Sequence, residues 1–122
     1  MRVLIVEDHV KMATYLKQAL EEQGYAVDIA YTGREGLDWA ATIEFDLIVL
    51  DVELPDIDGF TVCRKLKAEP DLAEVPVVMM TTRDHAEDVL NGLEMGAVDY
   101  IPKDAFAEAV LLETIKQLTR QE

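Results

Sequence analysis

The sequence predicts a doubly wound α/β domain built from five βα units. Short unbroken apolar runs, such as Val3–Val6, Leu47–Leu50 and Pro76–Met80, have the length of strands buried on both faces. Between them, apolar residues recur at three- and four-residue spacing, as on the inner face of an amphipathic helix. Strict alternation of the two, at roughly 20–25 residues per unit, calls for a parallel sheet with helices on both faces and right-handed crossovers.

Val3-Leu4-Ile5-Val6 is the first strand and runs into Glu7 and Asp8. Met12, Leu16, Ala19 and Leu20 then share a helical face, and Gly24 is the stop. Ala26–Ala30 reads as a second, less completely buried strand. Thr32 opens the second helix, with Glu35 three residues on in a capping-box pattern. Leu37, Ala40 and Ala41 supply its apolar side, and Gly36 weakens it. The third strand, Leu47–Leu50, stops at Asp51 and gives way to a loop punctuated by Pro55 and Gly59. Phe60, Cys63 and Leu66 mark a third helix that ends near Pro70. The fourth strand, Pro76–Met80, finishes in Thr81 and Thr82. Asp84, with Glu87 after it, is placed to cap a helix that turns Val89, Leu90 and Leu93 inward and ends at Gly96. Val98–Ile101 is the fifth strand, interrupted by Pro102. After Lys103, Asp104 caps a last helix through Phe106, Val110, Leu111, Ile115 and Leu118. The expected strand order, 2-1-3-4-5, sets strands 1 and 3 side by side at the switch point, where open α/β sheets bind ligands beyond the strands' carboxyl ends.

At 122 residues the chain reads as one domain, residues 1–122, with no linker, repeat or low-complexity tract. Its 25 acidic residues against 11 Lys and Arg give a net charge of −14, which disfavours direct contact with nucleic acid or an anionic membrane. No apolar run approaches the roughly 18 residues of a membrane span. The single cysteine, Cys63, excludes an internal disulfide and suits a reducing cytoplasm.

The expected order brings Glu7, Asp8 and Asp51 to one crevice. Three carboxylates at one place either rise in pKa or are neutralised by a cation. With no His or Cys pair at ligand spacing, a hard divalent ion such as Mg²⁺, or Mn²⁺ in its place, suits them. Asp8 and Asp51 would be direct ligands, with Glu7 orienting the set or holding water and the Glu53 backbone carbonyl completing it. The Asp51 carboxylate could itself attack phosphorus. Thr81 and Lys103, also at carboxyl ends, would meet the oxygens of the product.

Over essentially its whole length the sequence resembles the receiver domain of two-component response regulators. The resemblance rests on the Glu7-Asp8 pair, Asp51 at the end of strand 3, Pro55 and Gly59 in the loop after it, Thr81, Tyr100 and Lys103, each in order at a strand end. It implies a flavodoxin-like fold. It also implies a phosphoryl group taken from a histidine kinase or phosphotransfer protein onto Asp51, with no turnover enzymology beyond the domain's own phosphorylation and dephosphorylation. Thr81 and Tyr100 would then switch the surface formed by the fourth helix, the fifth strand and the last helix. That surface would serve a downstream protein partner, a covalently linked output domain or a phosphorylation-dependent dimer. The chain stops after the last helix, so no output domain is expected within it.

The resemblance also marks positions that vary in the family. Two residues after the acceptor stands Glu53, and two after Thr81 stands Arg83; these tune the lifetime of the phosphoryl group, and pairing between them across the crevice mouth would screen the phosphorus. Thr82 occupies a position where Ala or Gly is usual, beside the phosphoryl group. Lys103-Asp104 replaces the common Lys-Pro, so the bond after Lys103 is either trans or a cis bond held by its surroundings. Rival readings are a metal-binding pseudo-receiver acting as an interaction module, an aspartate-nucleophile phosphatase, and a flavin or nucleotide binder. The last should carry a Gly-, Ser- or Thr-rich loop after strand 1, where this chain has Glu7-Asp8-His9-Val10.

Overall fold

The computed structural model describes residues 1–82, 90, 93–104 and 106–119. Five parallel strands, β1 (Arg2–Val6), β2 (Ala26–Ala30), β3 (Leu47–Asp51), β4 (Val77–Thr81) and β5 (Asp99–Pro102), form one sheet in the order β2-β1-β3-β4-β5. Four helices are described: α1 (Val10–Glu22), α2 (Gly33–Thr42), α3 (Gly59–Ala68) and α4 (Ala107–Thr119). The expected fold class and strand order are those found.

Alternate residues of each strand enter opposite layers, as the two-residue period of a strand requires. Val3, Ile5, Leu47, Val49, Val78, Met80 and Ile101 pack with Leu16 and Leu20 of α1 and Leu111 and Ile115 of α4. Leu4, Val6, Ile48, Leu50, Val77, Met79 and Tyr100 pack with Ala40 of α2 and Val62, Cys63 and Leu66 of α3. Both faces of the sheet are thus covered, which is why the strands read as unbroken apolar runs.

Helix starts follow side-chain chemistry. Thr32 Oγ1 accepts from the Glu35 N–H at 3.0 Å, Asp58 Oδ1 from Phe60 at 2.7 Å, and Asp104 Oδ1 from Phe106 at 2.8 Å. Several expected faces need correction. Gly36 does not merely weaken α2: a Cβ there would lie 2.8 Å from Val6 Cγ2, so its lack of a side chain lets the helix settle on β1. Gly33, Gly36 and Ala40 form the buried side, and Ala41 is exposed. Phe106 and Val110 point outward, 70 % and 44 % exposed, while Ala107, Leu111 and Ile115 fill the inner face of α4. Leu90 and Leu93 are likewise exposed, whereas Met95, Ala97 and Tyr100 pack into the interior. β5 is shifted by one residue: Val98 precedes it, and Pro102 is its last residue on the sheet's edge, where a missing N–H is tolerated. The expected capping of a helix by Asp84 and Glu87, and the inward Val89, fall outside the described residues.

Candidate phosphoryl-acceptor crevice

Register decides which side chains meet. Val6 of β1 pairs with Leu50 of β3, Asp51 pairs with Met80, and Thr81 pairs with Pro102. Glu7, Asp51, Thr81 and Lys103 are therefore successive residues around one end of the sheet. Parallel strands all present their carboxyl ends there, so one crevice receives a group from each of four strands.

Glu7, Asp8 and Asp51 each offer a carboxylate oxygen within 4.8 Å of the others. Glu7 and Asp51 are buried, at 2 % and 3 % exposure, whereas Asp8 is exposed. Lys103 Nζ lies 2.5 Å from Glu7 Oε1 and 3.0 Å from Asp51 Oδ1. Backbone donors complete the arrangement, with His9 N–H on Glu7 Oε2 at 3.0 Å and Glu53 N–H on Asp51 Oδ1 at 3.1 Å. Burial pushes the Glu7 carboxyl up to about 7, against the hydrogen bonds from Lys103 and His9, and the Asp51 charge adds to the rise. For Lys103, burial opposes the charge, but the Glu7 hydrogen bond and the Asp51 and Glu7 charges outweigh it and raise the ammonium above its ordinary value. The three acids fit a hard divalent cation: their donors are all oxygens, they converge, and one ammonium does not balance three carboxylates.

Lys103 is held without an imide. Its N–H donates to the Thr81 carbonyl at 2.7 Å, and the bond to Asp104 is trans, as are all peptide bonds of the described residues. Thr81 is fully buried. Its hydroxyl donates to Glu53 Oε1 at 3.1 Å, and the same oxygen accepts from the Thr82 N–H at 3.0 Å and the Thr82 hydroxyl at 2.5 Å. The Thr82 hydroxyl, then the Thr82 N–H and the Thr81 hydroxyl, hold the Glu53 carboxyl below its ordinary value. Arg83, the expected partner of Glu53, lies outside the described residues. Tyr100 is turned inward, at 8 % exposure, among the residues on the α2–α3 side.

Two devices position the loop after β3. Gly59 packs on the end of β3, where a Cβ would stand 2.3 Å from the Asp51 carbonyl oxygen, and its N–H donates to the Val52 carbonyl at 2.8 Å. Sequence reading missed the second. Asp56 accepts from the Gly33 and Arg34 N–H groups at 2.8 and 2.9 Å, so the loop after β3 also caps the start of α2. The available signal was a carboxylate placed after a Pro and facing a helix that opens with Gly33, which is weak without coordinates.

The fold and crevice define a doubly wound α/β domain with an acidic, lysine-bridged site at its switch point. The family model of the response regulator receiver domain matches residues 3–116, and the chain belongs to that family. It is 41 % identical over 120 residues to the transcriptional regulatory protein PcoR of Escherichia coli, covering 98 % of this chain and 52 % of that one. It is 39 % identical to the response regulator MprA of Mycobacterium avium, over 99 % of this chain and 52 % of that protein. The chain spans about half the length of these curated relatives. Among solved structures, the chemotaxis response regulator CheY4 of Vibrio cholerae superposes with a TM-score of 0.89 at 30 % identity, over 96 % of this chain and 97 % of that one. The receiver domain of a signal transduction histidine kinase from Syntrophus aciditrophicus gives 0.87 at 39 % identity, over 99 % and 94 %. The chain is a receiver domain of phosphorylation-dependent signalling.

Proposed function

We propose that Asp51 accepts a phosphoryl group from a histidine kinase or a phosphotransfer protein. The observation that carries this reading is the buried Asp51 carboxylate bridged to Lys103 at 3.0 Å, with Glu7 and Asp8 beside it. An Asp51 carboxylate oxygen forms the new O–P bond while the P–N bond of the donor phosphohistidine breaks, and the departing imidazole takes a proton. Lys103 meets the phosphoryl oxygens as a point charge, with Thr81 and Thr82 donating hydrogen bonds to them. Asp8 and Asp51 would hold Mg²⁺, supported by Glu7 and the Glu53 carbonyl; when bound, it would neutralise charge developing between the carboxylate and the phosphoryl group.

Thr81 and Tyr100 then bias two packed states of the surface around β5. Leu90, Leu93, Val98, Phe106 and Val110, all on segments flanking β5, are 44–70 % exposed, which supports docking of a protein or a second copy there. This reading puts the domain in the cytoplasm, opposite a histidine kinase, with its output delivered through protein contacts. Among the described residues no helix is long and apolar enough to cross a membrane. Acetyl phosphate with Mg²⁺ should add one phosphoryl group, detected as a mass increase, and Asp51→Asn should take up none. Labelling of Asp51→Asn at the wild-type level would place the acceptor elsewhere.

A further inference from the structure

We propose that the Glu53 side chain is an internal occupant of the oxyanion site, holding the Thr81 and Thr82 donors until a phosphoryl group displaces it. This rests on the reading of Asp51 as the acceptor and concerns how that site is regulated. Glu53 is exposed and stands two residues beyond Asp51, so it had the choice of pointing into water. Instead one oxygen, Oε1, receives three donors from the end of β4: the Thr81 hydroxyl, the Thr82 hydroxyl and the Thr82 N–H. The backbone of the same residue donates to Asp51 Oδ1 at 3.1 Å, so the occupant and the acceptor share one short segment.

A convergence of two hydroxyls and an amide on one anionic oxygen is the arrangement that stabilises a phosphoryl oxygen. A carboxylate oxygen and a phosphoryl oxygen make the same demand on these donors, and one set of donors cannot serve both. Phosphorylation therefore exchanges Glu53 for the phosphoryl group at Thr81 and Thr82. Loss of the phosphoryl group returns the donors to Glu53.

Competition for donors must be told apart from simple repulsion between Glu53 and an incoming anion. Glu53→Ala removes the charge and the acceptor together. Glu53→Asp keeps the charge but is one methylene shorter and withdraws the oxygen from Thr81 and Thr82. The probe is beryllium fluoride with Mg²⁺, which binds an aspartate reversibly as a phosphoryl analogue and is titrated against the whole chain by ¹H–¹⁵N spectra. Both variants should bind it about fivefold or more tightly than wild type, the gain expected when a charge-assisted hydrogen-bonded occupant is removed. In the protein without Mg²⁺ or analogue, the Thr82 amide proton should move upfield in both variants relative to wild type. Tightening in Glu53→Ala alone would show repulsion and overturn the proposal, as would unchanged affinity in both or an unmoved Thr82 amide. Wild-type protein that fails to bind the analogue in an Asp51-dependent way would overturn the acceptor reading, and the proposal with it.

Discussion

Replacing Gly59 by Ala tests the positioning of Asp51, the proposed acceptor, directly. The new methyl carbon would lie 2.3 Å from the Asp51 carbonyl oxygen, 2.6 Å from Val52 Cα and 3.0 Å from the Asp51 carbonyl carbon. Attractive contacts between such atoms lie near 3.5 Å, so about 1 Å of movement is needed. The obstructing atoms are buried backbone at the end of β3, and no side-chain rotation can relieve the contact. What gives way is the first turn of α3, together with the Gly59 N–H bond to the Val52 carbonyl at 2.8 Å. Losing that bond costs about 1 kcal/mol and overpacking about 1–3 kcal/mol, against at most about 1 kcal/mol gained from Ala over Gly in a helix. The net loss is about 1–3 kcal/mol, which leaves a domain of ordinary stability folded. Urea unfolding followed by far-UV circular dichroism should show the shifted midpoint. On the proposed reading, the acetyl-phosphate labelling rate should fall by up to about a hundredfold if Asp51 moves by the same ångström. An unchanged midpoint together with a labelling rate within about twofold of wild type would refute the close approach of α3 to the end of β3.

Two further predictions follow from the same geometry. Without divalent cations, the native Glu7 carboxyl near 7 binds its proton more tightly than the unfolded one at 4.5, so its stabilisation is complete below 4.5 and lost as pH rises through about 7. The protein should therefore be about 2 kcal/mol more stable near pH 5.5 than near pH 7.5 by urea unfolding, and Glu7→Gln should remove the difference. Gly36→Ala drives a methyl to 2.8 Å from Val6 Cγ2 and should be neutral to about 2 kcal/mol destabilising, whereas on a Val6→Ala background it should stabilise by about 1 kcal/mol. Equal effects on both backgrounds would contradict that contact.

The strands and their order were legible because burial on both faces leaves a plain mark: Leu47–Leu50 and Val77–Met80 carry no polar residue to confuse the reading. Helix faces were less legible. Gly33 and Gly36 are the contact side of α2, yet glycine carries no hydrophobic signal. On α4 and at the residue before it, apolar residues occupy both faces, so Phe106 and Val110 could not be told from Leu111 and Ile115 by type. At the crevice, Glu7, Asp8, Asp51 and Lys103 were foreseeable because the fold gathers strand ends irrespective of side-chain conformation. The contacts of Glu53 with Thr81 and Thr82 were not. They depend on a side chain reaching from the loop after β3 across to the end of β4, and sequence spacing does not encode that reach.

The crevice divides into two halves, each already satisfied by carboxylates. On the β1–β3–β5 side, Lys103 bonds Glu7 and Asp51; on the β4 side, Thr81 and Thr82 bond Glu53. On the proposed reading, a phosphoryl group of about −2 charge on Asp51 enters both halves at once. It takes Lys103 partly from Glu7 and the threonines from Glu53. Each new bond replaces one of similar kind, so the free energy available to move the surface around β5 is a difference between acceptors, not the full strength of the new bonds. Such a switch sits close to balance and responds to small changes at Glu53 and Glu7. The two acids differ in their freedom to yield. Glu53 is exposed and is rehydrated when displaced, whereas Glu7 is 2 % exposed and must keep a proton, the ammonium or a metal as partner. The threonine side is therefore the half that can open and close at low cost, and the lysine side is the half that stays assembled.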